Sequence, residues 1–216
     1  MLRFYCLLLH ELKIQVKIHN LLLYFASFFL FVFIATSFVF GVNIEKLYIV
    51  KLFLIFIPIS LMSIGSSTKE DFNTGQWEFL LTLFSPKEIM LSKYFAICTC
   101  HFAITLLNNA ILFIFYNINL RLLMITLILS SFLVLLSVAL FIFIVVMQFY
   151  FPKYKNYLLT LMFPFMIPSF LFISVLLDGT QIYYILSIIG TVMVFVPALL
   201  IASTFLIDNF KSISIS

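Results

Sequence analysis

Charge is what this chain of 216 residues has least of: charged side chains make up 9% of it, against 65% hydrophobic, where an ordinary soluble domain carries about a quarter charged residues. No water-soluble globule hides that much apolar surface, so the bilayer is the expected solvent. Glycine is scarce, with five residues, and no GxxxxGK[ST] run exists to cradle a nucleotide phosphate. The chain therefore does not hold ATP in the usual way. The three cysteines, Cys6, Cys98 and Cys100, lack metal-type spacing and support neither a disulfide framework nor a zinc site. The apolar start after Arg3 is interrupted by His10, Glu11, Lys13 and Lys17 before a secretory core could form, so the N-terminus is expected to be retained.

What is present is a series of long uncharged apolar runs. They predict an all-α polytopic membrane protein, a single membrane domain over 1–216, with six spans at about 21–42, 46–65, 94–116, 122–149, 157–177 and 182–207. The net charge of +4 does not indicate nucleic acid, because the twelve basic residues are scattered and flank the runs. Nine of them (Arg3, Lys13, Lys17, Lys69, Lys87, Lys93, Lys153, Lys155 and Lys211) fall on the N-terminal side of the six-span topology, and Lys46, Lys51 and Arg121 fall on the other. The positive-inside rule then puts both termini in the cytoplasm of a bacterial inner membrane.

Residues 1–20 carry two competing periods. Leu12, Ile14, Val16 and Ile18 alternate with polar residues as in a strand, whereas on a helix Arg3, His10, Lys13 and Lys17 form one basic stripe suited to an anionic membrane surface. A lone strand has nothing to pair with, so an interfacial helix is predicted.

The segment Ser66 to Lys93, between the second and third spans, is the longest polar interruption and is accessible to a soluble partner. Asn73 or Thr74 is placed to cap a short helix from Gly75 to Phe84, whose Trp77, Leu80, Leu81 and Phe84 recur at i, i+3, i+4, i+7. Ten residues do not span a bilayer. Ser85-Pro86-Lys87-Glu88 follows, a capping box with proline at the first helical position, which starts the third membrane helix. A short amphipathic helix rigidly joined to a membrane helix is built to transmit a push. The alternative is a helix resting on lipid headgroups, but Glu70, Asp71 and Glu78 gain little there and suit pairing with basic residues of a protein.

Two further features lie inside the predicted spans. Pro164 and Pro168, four apart, each remove an amide donor and mark a candidate hinge, or else a static bend. His101, Thr105 and Asn108 share one face of the third span with Asn109 beside them, and polar groups at that depth need partners. A histidine can ligate heme iron, but with no second ligand motif interhelical hydrogen bonding is the favoured use. No Asp or Glu lies deep in any predicted span, which disfavours an intramembrane hydrolase.

The loop resembles that of ABC-2-type permeases, through Asp71, Gly75, Glu78, Leu80 and Leu81, with Lys93 in the following helix. The Phe163 to Pro168 run FPFMIP, Pro197 in the sixth span, the His10-Glu11-Leu12 start and the length extend this to a resemblance, along nearly the whole chain, to the heme exporter B family of cytochrome c maturation. Ile97 and Cys98 stand where that family carries a His-Trp pair, with His101 one turn later. The resemblance implies a non-enzymatic permease subunit without a bound cofactor, with Asp71, Gly75, Trp77, Glu78, Leu80 and Leu81 docking a cytoplasmic ATPase subunit that binds ATP. It further implies a homodimer or heteromer, heme-handling membrane subunits and a heme chaperone as partners, and heme as cargo or ATP-driven release of the loaded chaperone. A generic ABC-2 permease exporting a lipid, drug or glycan shares the same loop. A purely structural assembly subunit would need no docking helix.

Overall fold

The computed structural model describes residues 2–18, 45–62, 75–151 and 182–214, together with 27, 30–31, 34–35, 164–167, 170–171, 174 and 177. Among the described residues the secondary structure is helical, without strands. Helix α1 (Leu2–Lys13) runs into a five-residue π-helical turn, Ile14–Ile18. The helices that follow are α2 (Lys46–Met62), α3 (Gln76–Leu83), α4 (Pro86–Tyr116), α5 (Leu120–Tyr150) and α6 (Ile182–Ser214). The N-terminal segment is thus a helix, as the basic stripe predicts, and not a strand.

Among the described residues three helices are long and apolar enough to cross a membrane: Pro86–Tyr116, Leu120–Gln148 and Leu186–Asn209. At about 1.5 Å per residue, the 31 residues of α4 reach about 46 Å, beyond the ~30 Å hydrocarbon core. These three match the predicted third, fourth and sixth spans. Helix α2 has 17 residues and coincides with most of the predicted second. The predicted first and fifth spans fall largely outside the described residues.

Helix α5 is the centre of the bundle. Every residue from Leu136 to Ile142 is buried, so the helix is enclosed on all sides, which an all-round apolar sequence permits. Its neighbours are α2, α4 and α6. Helix α4 joins α5 through Asn117–Asn119: Asn117 ends α4 in the left-handed conformation (φ 47°) and Asn119 begins α5. The Lys46 ammonium donates to the Asn117 carbonyl at 2.6 Å, fixing the start of α2 beside this turn. The Tyr94 hydroxyl donates to the Leu135 carbonyl across the hairpin at 3.2 Å. At the far end of α5, the Tyr150 hydroxyl donates to the Leu206 carbonyl of α6. The last two contacts place the start of α4 and the C-terminal end of α6 at the same end of the bundle.

Helix α6 buries one stripe, Ile188, Val192, Ser203 and Ile207, and exposes Met193, Val194, Ile201 and Phe205. In a bilayer such a face is satisfied by lipid tails or by another helix.

The capping box predicted at the start of α4 is formed. The Ser85 backbone N–H and hydroxyl donate to the Glu88 carboxylate at 3.0 and 2.9 Å, and the Glu88 N–H returns a bond to the Ser85 hydroxyl oxygen at 3.4 Å, with Pro86 opening the helix. Two of the orphan donors of the helix end are thereby satisfied. Ser85→Ala is expected to destabilise this end of α4 by about 1 kcal/mol, measurable as faster amide exchange confined to the first turns of α4 in protein reconstituted in lipid.

Candidate functional site

The loop segment that the sequence singles out begins, in its described part, at Gly75. Asn73 and Thr74, the expected caps, lie outside the described residues, as does Asp71. The residue that opens α3 is Gly75 itself, at φ 72° and without a side-chain cap bond. There is room for a methyl group at this position, the nearest atom being Glu78 Oε2 at 4.0 Å. The backbone conformation is what demands glycine. At the other end, Phe84 leaves the helix in an extended conformation and Ser85 caps α4. Two residues therefore separate the helices.

The apolar stripe of α3 is turned toward the rest of the chain. Trp77, Leu80 and Leu81 are buried, so these predicted docking residues anchor the helix to the protein. The outward face carries Glu78, Phe79, Thr82 and Leu83, with Phe79 63% and Leu83 56% exposed. The sequence reading missed Phe79 and Leu83. Their signal was available, since a helix with apolar residues at 77, 79, 80, 81, 83 and 84 is apolar on more than one face.

Behind α3 lies a charge pair that sequence periodicity did not disclose. Lys93, two turns into α4, is 2% exposed, and its ammonium donates to Glu11 Oε2 on α1 at 3.0 Å, with Glu11 fully buried. The same ammonium stands 5.3 Å from the centroid of the Trp77 ring of α3, within cation–π range. Glu11, Trp77 and Lys93 thus join three separate helices at one point. One turn beyond Glu11, in the π-helical turn, Gln15 is also fully buried. Neither atom of its amide, nor Glu11 Oε1, has a hydrogen-bond partner among the described residues.

Helix α1 packs along the first turns of α4. The Ser85 backbone N–H, then the Ser85 hydroxyl, hold the Glu88 carboxyl below the usual carboxylate range, and the charge of Arg3 on α1 acts in the same direction. Glu11 meets Lys93 two turns into α4. Arg3, His10 and Lys13 remain exposed as the predicted stripe requires; the Lys17 side chain lies outside the described residues.

Deeper in α4, His101, Thr105, Asn108 and Asn109 are all buried. The Thr105 hydroxyl donates to the His101 and Phe102 carbonyls, each at 3.0 Å, and the Asn109 amide to the Thr105 carbonyl at 2.7 Å. These bonds run within α4. Back-bonding to the preceding turn satisfies a hydroxyl without a neighbouring helix. The Asn108 amide has no hydrogen-bond partner among the described residues. Cys98 and Cys100 are both buried although they point to different sides of α4, because α1 and α5 flank it. Of the candidate hinge, Pro164 is helical and exposed, and Pro168 lies outside the described residues.

The uncharacterized protein RP268 of Rickettsia prowazekii (strain Madrid E) is 30% identical to this chain over 222 aligned positions, covering 97% of the chain and 98% of its own length. The uncharacterized protein RC0356 of Rickettsia conorii is 31% identical with the same coverage. No protein-family model and no solved structure matches the chain.

Removing one member of a buried ion pair leaves the other charge uncompensated, at a cost of about 3–5 kcal/mol, whereas replacing both by apolar groups is often nearly neutral. Lys93→Met alone is therefore expected to lower stability by that amount, and the Glu11→Leu, Lys93→Met double variant to recover most of it. Denaturant unfolding in micelles, arranged as a double-mutant cycle, measures both. Gly75→Ala is expected to cost about 1–2 kcal/mol through its positive φ, read in the same assay.

Proposed function

The chain belongs to the family of RP268 and RC0356 of Rickettsia, and we propose that it is the membrane-spanning permease subunit of an ABC transporter of c-type cytochrome biogenesis. The observation that carries this reading is the short helix α3, fastened through the two-residue junction and the Ser85–Glu88 capping box to a membrane-length helix. A partner that displaces α3 acts on α4 directly.

In this reading a separate cytoplasmic ATPase subunit binds and hydrolyses ATP and grips the outward face of α3, where Glu78, Phe79 and Leu83 stand. An apolar pair flanked by a carboxylate suits a protein pocket with a basic rim better than an anionic membrane surface, which repels Glu78. Asp71 belongs to the same recognition segment. The buried Trp77, Leu80 and Leu81 transmit the movement inward, and Gly75 sets the angle at which α3 leaves the loop. Within the bilayer, Pro164 and Pro168 supply a hinge in the fifth span, and His101, Thr105 and Asn108 tune the packing of α4.

Heme delivery as the output rests on the resemblance to the heme exporter B family, to which the His10-Glu11-Leu12 start, Lys93 and the FPFMIP run contribute. Heme is the cargo, or loaded heme chaperone is what ATP hydrolysis releases. The remaining partners are heme-handling membrane subunits and a second permease copy or related subunit. The chain resides in the bacterial inner membrane with six spans and both termini cytoplasmic.

Deletion of the gene is expected to abolish covalently heme-stained c-type cytochromes while b-type cytochromes persist; heme-loaded chaperone that accumulates then points to release rather than export. Unchanged c-type cytochromes would overturn the assignment and favour an ABC-2 permease exporting another cargo. Glu78→Lys and Phe79→Ser are each expected to weaken ATPase capture roughly tenfold, as loss of a binding hot spot does, with membrane insertion unaltered. Capture at wild-type strength would remove this face of α3 from the docking surface.

A further inference from the structure

We propose that Glu11, Lys93 and Trp77 form a latch through which the position of α3 is coupled to the N-terminal helix α1, with Glu11 acting as a positioning residue for α3. The proposal rests on α3 being the docking element only for its biological meaning; the coupling itself is a property of this chain. Each link is on a different helix: Trp77 on α3, Lys93 on α4 and Glu11 on α1. Lys93 is shared between the Trp77 ring at 5.3 Å and the Glu11 carboxylate at 3.0 Å. Moving α3 withdraws the ring from the ammonium and changes the environment that the ion pair occupies.

A buried ion pair contributes little to stability over an apolar replacement, yet is costly to break on one side. Those properties suit an element with discrete arrangements better than a structural filler. The pair is also incompletely satisfied. Glu11 Oε1 and both atoms of the Gln15 amide lack hydrogen-bond partners among the described residues, and all are fully buried. Gln15 lies in the π-helical turn, and single π turns within helices are frequent at functional sites. A partly satisfied polar network of this kind is sensitive to small displacements. The basic face of α1, with Arg3, His10 and Lys13 exposed, is what the latch moves.

Trp77 is the chain's single tryptophan, so its fluorescence reports the latch in the purified full-length protein in lipid nanodiscs, without any partner. Glu11→Gln, which leaves Trp77 and Lys93 unaltered, is expected to raise acrylamide quenching of Trp77. It is also expected to accelerate amide exchange in α3 by roughly tenfold or more, the least that an uncompensated buried charge implies. The apolar pair Glu11→Leu, Lys93→Met, which removes the uncompensated charge and also the cation facing Trp77, is expected to recover global stability while Trp77 quenching and α3 exchange stay raised, which mere helix destabilisation would not produce. If Glu11→Gln does not accumulate in the membrane, Glu11→Asp, which keeps the charge and shortens its reach, is expected to give an intermediate exchange rate. Unchanged quenching and α3 exchange in the Glu11 variants would overturn the latch, as would wild-type α3 exchange in the Glu11→Leu, Lys93→Met pair. Failure of wild-type protein to capture an ATPase would overturn the docking reading and leave these results standing.

Discussion

An ammonium group with almost no access to solvent has to be answered by a carboxylate, and in this chain the answer to Lys93 comes from Glu11, 82 residues away. That constraint decides the arrangement of one end of the bundle. To bring Glu11 within 3.0 Å, α1 has to run along the first turns of α4 with its basic residues outward. To cover the ion pair, Trp77 has to face inward, and that orients α3. The burial of Leu80 and Leu81 follows from the orientation of Trp77, as does the exposure of Phe79 and Leu83 on the opposite side.

The local features of this arrangement are legible in the sequence, because their cause is local. Ser85, Pro86 and Glu88 form the capping box at the positions their spacing specifies, since the partners are three residues apart. Glycine at 75 is equally local: the chain turns through a left-handed backbone, and the residue that tolerates it is there. The limits of α5 and the C-terminal end of α4 follow the ends of their apolar runs, as the length of a bilayer core requires, whereas α4 starts earlier, at its capping box. The pairing of Glu11 with Lys93 has no such local cause. Its trace was a lysine at the edge of the third predicted span and a lone acid in a basic N-terminal segment. Positive-inside counting absorbs such a lysine as a topology signal, although a charge on a face that packs against another helix asks for a partner.

The stripe on α3 illustrates a different limit. Periodicity shows that Trp77, Leu80 and Leu81 share a face, but not whether that face belongs to the same chain or to a visitor. The structure assigns it to the chain, and what remains for a visitor is the weaker pattern of Glu78, Phe79, Thr82 and Leu83. The polar ladder of α4 shows the same ambiguity. His101, Thr105, Asn108 and Asn109 line up as spacing predicts, yet Thr105 and Asn109 bond within their own helix. A side chain one turn from a carbonyl needs no neighbour to be satisfied.

An apolar helix with two faces is unusual for a loop that has only to connect two spans. If α3 were a simple connector, its inner face would suffice, and an outer phenylalanine and leucine beside a carboxylate would serve neither water nor anionic headgroups well. A rigid junction would likewise be unnecessary, because connectors tolerate slack. Here the outer face is apolar, the junction has two residues and the helix behind it begins with a satisfied capping box. The inner face, through Trp77 and Lys93, ends on another helix. Each of these features costs conformational freedom, and together they make sense for an element that is gripped from outside and has to move its neighbours when it is.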